Sequence, residues 1–336
     1  MTWRIVGHDW AVTLLRQGLA ADQVAHAYLF CGPPQVGKTT LALALAQALN
    51  CDQPDPPCGQ CPSCRKIAQR AHPDVQLVVG QGAGESIRID QVRALQREAV
   101  LAPYEGRYRV FVLRRIDGAT TEAANSLLKT LEEPPAHVVL SLTAEHTQTI
   151  PPTVVSRCQR LDLRPVPAPV IETALLEKGL SLPQASLLAR LSGGRIGWAL
   201  RAAAEDDLLR QREQDLDQLR ELMSASRVER FEFAERASRD VAACRRQIEY
   251  WASWWRDLLL LSTLGDDHIV NMDRLDELRL LAESSTSSQA HAALSALQRT
   301  TAQLEANVNA RLALENLRLK LPRQLGAETR VSQRGP

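Results

Sequence analysis

Residues 32–39, GPPQVGKT, constrain this chain more than any other stretch, because they fit the pattern G-x-x-x-x-G-K-[ST]. They lie between an apolar run at 27–31, which has the character of a strand, and an Ala- and Leu-rich segment at 38–50, which has the composition of a helix. In a strand–loop–helix unit of this kind, backbone N–H groups surround a phosphate at the positive end of the helix. Lys38 would neutralise the β- and γ-phosphates, and Thr39 would offer a hydroxyl to Mg²⁺. The predicted nucleotide-binding residues are Gly32, Pro33, Pro34, Gln35, Val36, Gly37, Lys38, Thr39 and Thr40.

The order of apolar runs predicts the fold class. Strand-like runs recur at 75–79, 108–113 and 138–142, and helical stretches at 89–101 and 120–133 separate them. This alternation predicts an α/β domain with a parallel sheet covered on both faces. After residue 165 the strand signals stop, and apolar residues recur at helical spacing almost to residue 322.

Breaks in this pattern suggest the domain organisation. The Pro-rich stretch 164–169 predicts a stiff linker, and Gly193-Gly194 predicts a helix end. We therefore expect an α/β domain over 1–165, a small helical domain over 166–205 and a larger helical domain over 206–325. The polar residues 326–336 are expected to form a disordered tail.

Charge and hydropathy exclude some classes of protein. Lys plus Arg total 40 and Asp plus Glu total 39, so a chain that coats nucleic acid through bulk positive charge is not expected. No apolar run approaches the roughly 20 residues that a bilayer span needs. The first residues, MTWRIVGHDW, lack the apolar core of a signal peptide, so a cytoplasmic location with reduced thiols is expected.

Four of the seven cysteines, Cys51, Cys58, Cys61 and Cys64, fall within one short Pro- and Gly-rich stretch. In a reducing compartment such a cluster indicates a metal site rather than disulfide bonds. Four thiolates suit tetrahedral Zn²⁺ and leave no open coordination position, so we predict a structural zinc module at 51–64. An iron–sulfur cluster is the alternative, but its usual spacing places the fourth cysteine after the C-x-x-C-x-x-C run, whereas Cys51 precedes that run.

Hydrolysis of a bound nucleotide also needs acidic residues at the end of a neighbouring strand, where they hold Mg²⁺. The matching strand at 109–113 ends instead in Arg114-Arg115, and two guanidinium groups cannot hold a cation. The nearest acid, Asp117, is a candidate substitute ligand for Mg²⁺. We favour the other interpretation, in which it is a loop acid or a helix N-cap. The sequence therefore predicts a chain that can bind ATP or ADP but has very weak or no ATPase activity of its own. It gives little support for bound Mg²⁺.

Three further motifs carry a family resemblance: HAYLF at 26–30, ANSLLKTLEEPP at 124–135 and Ser156-Arg157-Cys158. Together with the cysteine loop, they resemble the clamp loader of bacterial DNA polymerase III, an AAA+ assembly, over about residues 1–205. The resemblance implies an AAA+ P-loop domain, a helical lid at 166–205 and a helical collar at 206–325 that holds five subunits in a ring. It also implies that Ile5 and Val6 pack around adenine.

Two subunit types of that assembly share these motifs. The motor subunit (gamma/tau) has acidic residues at the strand end and a nucleotide-sensing Arg in its lid. This chain has Arg114-Arg115 and Gly197 at those positions, and Arg195 is not a safe substitute for the missing Arg. These departures favour the delta-prime type, which keeps the fold but often loses catalytic parts.

The resemblance implies that Arg157 reaches across a subunit interface as an arginine finger for the γ-phosphate held by a neighbour. A planar, permanently charged guanidinium suits this role. The implied function is that of a stator, which pairs with delta and gamma/tau subunits and helps to load the sliding clamp onto primed DNA. The alternative for Arg157 is an ion pair with a local acid such as Asp162, and Lys129 is either a surface lysine or a residue that faces DNA.

Two other functions stay open at this point: an active gamma/tau-type ATPase, and a stand-alone zinc-dependent protein that binds nucleic acid.

Trp251, Trp254 and Trp255 share one helix face, and they predict either core packing or a subunit interface.

Overall fold

A parallel sheet of five strands organises the first half of the chain in the computed structural model, which describes residues 3–81, 86–305 and 308–322. The strands are β1 (Ala27–Cys31), β2 (Val75–Val78), β3 (Arg109–Leu113), β4 (Val138–Ala144) and β5 (Gln159–Asp162). Their order is β2-β3-β4-β1-β5, and every neighbouring pair is parallel. Every residue of β1, β3 and β4 is buried, because helices cover both faces of a parallel sheet.

The chain divides into two compact units, Met1–Ala185 with Gly193–Ala199, and Ser186–Ser192 with Leu200–Pro336. The division into three domains at residues 165 and 205 stays a prediction. The predicted tail, 326–336, lies outside the described residues.

The helices of the first unit alternate with its strands. They are α1 (Asp9–Ala20), α2 (Lys38–Leu49), α3 (Pro62–Ala68), α4 (Ile89–Ala99), α5 (Thr121–Glu132), α6 (Pro152–Val155) and α7 (Ala168–Leu176). Helices α8 (Leu182–Leu191) and α9 (Ile196–Ala202) each belong partly to both units. The amphipathic helices α4 and α5 bury residues such as Val92 and Leu127 in a core shared with β1, β3 and β4.

The strands and helices predicted for the first half are confirmed, and two details differ. Strand β5 was missed because its sequence, Gln-Arg-Leu-Asp, has one apolar residue and pairs only along one edge of the sheet. The Pro-rich linker was predicted too long, since α7 already begins at Ala168. Pro169 is tolerated there because an amide in the first turn of a helix has no intrahelical partner. Gly193 and Gly194 have φ values of 58° and 84°, as expected for the end of α8.

The second unit is helical. Its further helices are α10 (Asp206–Ser224), α11 (Arg227–Ala237), α12 (Val241–Leu264), α13 (Leu275–Ser284), α14 (Ser287–Glu305) and α15 (Ala310–Lys320). Trp251, Trp254 and Trp255 lie in its core, and Trp251 Nε1 donates to the carbonyl of Asp215 at 2.7 Å. The Trp cluster therefore packs within its own unit, and the predicted fold class is confirmed. Among the described helices, none has both the length and the hydropathy that crossing a bilayer requires.

Candidate functional site

The predicted phosphate loop follows β1 directly and ends at the first turn of α2. Gly37, the N-cap of α2, has a φ of 111°, and Gln35 has a φ of 60°. Gly32 has a φ of 146°, and a Cβ at this position would lie 2.2 Å from the carbonyl oxygen of Leu163. Glycine is therefore required where the chain leaves the sheet and turns into the loop.

Lys38 is folded into the phosphate loop. Its Nζ donates to the carbonyl oxygens of Gly32 at 2.5 Å and Pro33 at 2.7 Å, and the residue is buried. Burial lowers the pKa of Lys38, while the nearby carboxylates of Glu145 and Asp117 oppose that shift. The loop thus holds a desolvated ammonium group among its own backbone carbonyls, where a phosphate oxygen is an alternative acceptor.

The end of β3 has the charge that the sequence predicted. Arg114 is exposed, and Arg115 adopts a left-handed conformation with a φ of 57°. Its backbone N donates to Thr143 Oγ1 at 3.1 Å, and its Nε lies 3.7 Å from Glu145 Oε1. The carboxylate of Glu145 is therefore neutralised by Arg115 in the region where P-loop proteins bind Mg²⁺.

Asp117 is a loop acid, as the sequence analysis favoured. Its Oδ2 accepts from the backbone N of Glu145 at 2.8 Å and of His146 at 3.3 Å, which ties the turn after β3 to the end of β4. Its Oδ1 is buried and has no hydrogen-bond partner within the described part of the chain. At most one oxygen of Asp117 is left for a cation, so these residues do not fit a Mg²⁺ centre with paired carboxylates.

Two segments pack against the phosphate loop. The Nε2 atom of the buried His8 lies 2.9 Å from the carbonyl oxygen of Val36, which brings the Ile5–Val6 segment toward the loop. Gly197, at the start of α9, donates its N–H to the carbonyl of Gln35 at 2.8 Å. A Cβ at Gly197 would lie 2.9 Å from that same oxygen, so a nucleotide-sensing Arg does not fit at this position without a backbone shift. The contact of His8 was missed by the sequence analysis, because a lone His before a helix carries no distinguishing signal.

The four predicted cysteine ligands converge. Their Sγ atoms all lie within 4.8 Å of one another, and the Sγ atoms of Cys58 and Cys64 are 4.0 Å apart. A tetrahedral ion with Zn–S bonds of about 2.3 Å holds its sulfurs roughly 3.8 Å apart, so the cluster fits a single ion. A multi-iron cluster places several metal atoms between its thiolates and needs a wider spacing. The chain can therefore hold a metal such as zinc at this position.

Backbone amides donate to the sulfurs of Cys51, Cys58 and Cys61, whereas burial raises the pKa values of Cys51 and Cys64. The N–H groups of Cys61 and Gln60 donate to Cys58 Sγ at 3.2 and 3.4 Å, and they lower the pKa of Cys58 to about 6. Cys61 caps α3, because its Sγ accepts from the N–H of Cys64. Cys51 lies just beyond the C-terminus of α2, which spans about 18 Å from the phosphate loop at its other end. The cysteine cluster is therefore separate from the nucleotide site, which fits a structural metal.

A buried carboxylate beside the cysteine loop was also missed by the sequence analysis. Asp74 Oδ1 accepts from Tyr104 N at 2.7 Å and Arg109 Nη2 at 3.1 Å, and its Oδ2 accepts from the N–H groups of Glu105 and Gly106, each at 2.8 Å. Burial alone would raise the pKa of Asp74, but these amides and Arg109 outweigh burial and hold the pKa below its usual value. Asp74 thus fixes the loop between α4 and β3.

Arg157 lies on the surface, in the turn that follows α6. Its Nη2 is 2.7 Å from Glu132 Oε1, and its Nη1 donates to the carbonyl of Thr153 at 2.9 Å. The proposed alternative partner, Asp162, pairs instead with Arg160 at 2.7 Å. The neighbouring Cys158 is partly buried, and burial raises the pKa of its thiol to about 12. The tripeptide therefore has an anchored thiol beside a guanidinium that reaches solvent.

Comparison with known proteins extends these observations to a family. The profile of the family described as "DNA polymerase III, delta subunit" matches residues 7–167. The delta-prime subunit of Bacillus subtilis (strain 168) DNA polymerase III is 29% identical over 313 residues, which cover 92% of this chain and 94% of that protein. Over nearly its whole length the chain is therefore similar to a delta-prime subunit of DNA polymerase III.

Other relatives match a smaller part of the chain. The tau subunit of Salmonella typhimurium is 37% identical over 162 residues, which cover 48% of this chain and 25% of that protein. The match to the Bacillus subtilis delta-prime subunit thus covers about twice as much of this chain as the match to this tau subunit. Among solved structures, a gamma-subunit-related protein of Thermotoga maritima covers 92% of this chain and 97% of its own length, with a TM-score of 0.43 and 18% identity.

Proposed function

We propose that this protein is the delta-prime subunit of the DNA polymerase III clamp loader, which acts as a stator and supplies Arg157 in trans to the ATP site of a motor subunit. The observation that carries the proposal is the composition of its own nucleotide site. The phosphate loop is retained, but the end of β3 presents Arg114 and Arg115, and Glu145 is paired with Arg115. A subunit with this site can bind a nucleotide without being equipped to hydrolyse it.

Arg157 has the properties that a finger needs. It is permanently charged, it lies at the surface, and its planar fork can contact two oxygens of a γ-phosphate. An arginine supplied in trans is worth about 10³–10⁵ in the rate of phosphoryl transfer. The finger would thus promote hydrolysis at the neighbour's site while this chain remains inactive.

The phosphate loop would take ATP or ADP through its backbone N–H groups and Lys38. In that state Lys38 would donate to phosphate oxygens instead of the carbonyls of Gly32 and Pro33. Thr39 would supply a hydroxyl, and Ile5 and Val6 would lie on the adenine side. The four cysteines would hold a structural Zn²⁺ that fixes the loop between α2 and α3.

The partners would be delta and gamma/tau subunits in a five-membered ring, with the helical second unit as the collar. Contact with the sliding clamp and primed DNA would come through the assembled complex, since the chain has a net charge of only +1. A cytoplasmic location stays a prediction.

The first test uses the isolated chain, with binding of ADP and ATP and hydrolysis of ATP measured separately, each with Mg²⁺ and with EDTA. We expect negligible turnover, and binding that Mg²⁺ does not strengthen. Brisk hydrolysis by the isolated chain would instead favour the alternative, an active gamma/tau-type ATPase, for which the retained phosphate loop and the unpartnered Oδ1 of Asp117 provide some support.

The second test concerns the finger itself. Arg157→Ala in the assembled complex is expected to lower the ATPase rate while a stoichiometric complex still forms in gel filtration. If the rate of ATP hydrolysis is unchanged in this complex, Arg157 is not a finger. A chain that does not join the complex, and binds DNA alone in a salt-sensitive manner, would favour a stand-alone nucleic-acid-binding protein.

A further inference from the structure

The guanidinium of Arg157 is held at two points by residues from different elements. Glu132, the last residue of α5, contacts Nη2 at 2.7 Å, and the Thr153 carbonyl in α6 accepts from Nη1 at 2.9 Å. The same carbonyl accepts from Ser156 Oγ at 3.2 Å, so the turn that carries Arg157 is tied to α6 as well. Both contacts orient the side chain and not only its backbone.

An acidic residue is unfavourable where Glu132 lies. The last carbonyl groups of a helix carry partial negative charge, and a carboxylate beside them is repelled. The ion pair with Arg157 offsets this repulsion between the Glu132 carboxylate and the end of α5. Glu133, the next residue, is also exposed and has no ion pair among the residues that the structure describes. The ion pair with Arg157 therefore distinguishes Glu132 from Glu133, which is adjacent and carries the same charge.

Glu132 is also a fixed point. Leu127 and Leu131 of α5 are buried in the core beneath the sheet, so the helix end cannot move freely. A carboxylate on a fixed helix end restricts the rotamers of a long side chain on a neighbouring turn. This restriction reduces the conformational entropy that Arg157 would lose on contacting a phosphate.

The two contacts leave donors available. A guanidinium has five N–H groups, and the contacts with Glu132 and Thr153 use two of them. Three N–H groups can still be offered to phosphate oxygens. The contacts thus orient the group without saturating it, which distinguishes an aligned guanidinium from one that is fully engaged in a structural pair.

We propose that Glu132 is a positioning residue, which holds Arg157 in the orientation from which it reaches the γ-phosphate of a neighbouring subunit. This inference rests on the proposed function, because it concerns how the finger is held. It adds a second residue, from the ANSLLKTLEEPP motif, to the machinery that this chain contributes to its neighbour.

The test is a double-mutant cycle in the assembled clamp loader, with ATP hydrolysis measured in the presence of primed DNA and the sliding clamp. The variants are Glu132→Gln, Arg157→Ala, both together, and Glu133→Gln as the matched control. Glu132→Gln is expected to lower kcat about two- to fivefold, the range that a half-exposed ion pair supports, with KM for ATP unchanged. Glu133→Gln is expected to leave kcat unchanged, and Glu132→Ala should reproduce the loss.

The cycle separates the two proposals. If Arg157→Ala has no effect, the finger is wrong and the positioning role fails with it. If Arg157→Ala lowers the rate but Glu132→Gln behaves like Glu133→Gln, the finger stands and the positioning role is refuted. A further loss from Glu132→Gln in the Arg157→Ala background would show that Glu132 acts elsewhere, and a rate increase would show that it restrains the finger; both outcomes overturn the inference.

Discussion

Replacement of Asp74 by Asn tests whether a single buried carboxylate holds the loop between α4 and β3. Asp74 has no exposed side-chain surface and accepts four hydrogen bonds, two at each oxygen. An Asn side chain has one acceptor oxygen and one amide nitrogen. In either orientation, the nitrogen would therefore face two N–H donors that now bond to oxygen.

The magnitude follows from these contacts. Two lost hydrogen bonds to a charged acceptor cost about 1.5–3 kcal/mol each, so Asp74→Asn is expected to reduce the free energy of unfolding by about 3–6 kcal/mol. The loss also removes the nearer of two carboxylates from Arg109, which is 11% exposed, and leaves it Glu98 at 4.0 Å. This range agrees with the roughly 3–5 kcal/mol typical of breaking a buried ion pair.

Calorimetry of the intact chain measures the effect. At roughly 2–4 °C per kcal/mol for a unit of this size, the transition of the first unit should fall by about 10 °C. The matched control is Asp22→Asn, which alters an exposed acid with a φ of 54°, a conformation that Asn tolerates. A decrease in stability under about 1 kcal/mol, or one equal to that of Asp22→Asn, would refute the reasoning.

The same prediction has a pH dependence with a defined sign. Folding holds the pKa of Asp74 below its unfolded value of about 3.9, so its contribution is complete above about pH 5. The contribution declines as the pH falls toward the lower, folded-state pKa. The difference between the native chain and Asp74→Asn should therefore shrink on acidification and stay constant from about pH 6 to 8.

Two further predictions concern the metal and the lid. Elemental analysis is expected to find bound zinc, and Cys61→Ser or chelation should remove it and speed hydrogen exchange in α3; a native chain without metal would contradict this. Gly197→Ala is expected to cost about 1–3 kcal/mol and to weaken ADP binding, because its Cβ would crowd the Gln35 carbonyl at 2.9 Å. Gly118→Ala, where a Cβ meets nothing within 4 Å, is the matched control, and equal effects of the two variants would argue against the crowding.

The local patterns of the sequence were sufficient for the main elements of the fold. Apolar runs predicted β1, β3 and β4 because every residue of these strands is buried, and β2 because three of its four residues are apolar. The helices between them followed from amphipathic spacing. Strand β5 could not be found in this way, since its side chains are largely exposed and its pairing with β1 provides the missing information.

The same distinction holds for the candidate site. The phosphate loop and the four cysteines are encoded within short stretches, where spacing and residue type already determine the chemistry. The partner of Arg157 is not encoded in that way. The alternative to the finger was an ion pair with a local acid such as Asp162, and the structure shows an ion pair, but with Glu132, while Asp162 pairs with Arg160. Glu132 lies twenty-five residues before Arg157 and reaches it only because α5 packs beside α6.

By itself, the sequence determined the fold class, the phosphate loop, the reversed charge at the end of β3 and the cysteine cluster, because each depends on residues close together in the chain. Only the tertiary structure decided which groups meet: Glu132 with Arg157, Gly197 with Gln35, and Asp74 with the loop amides. Such contacts depend on how helices and loops pack against the sheet, and no local pattern of residues specifies that packing.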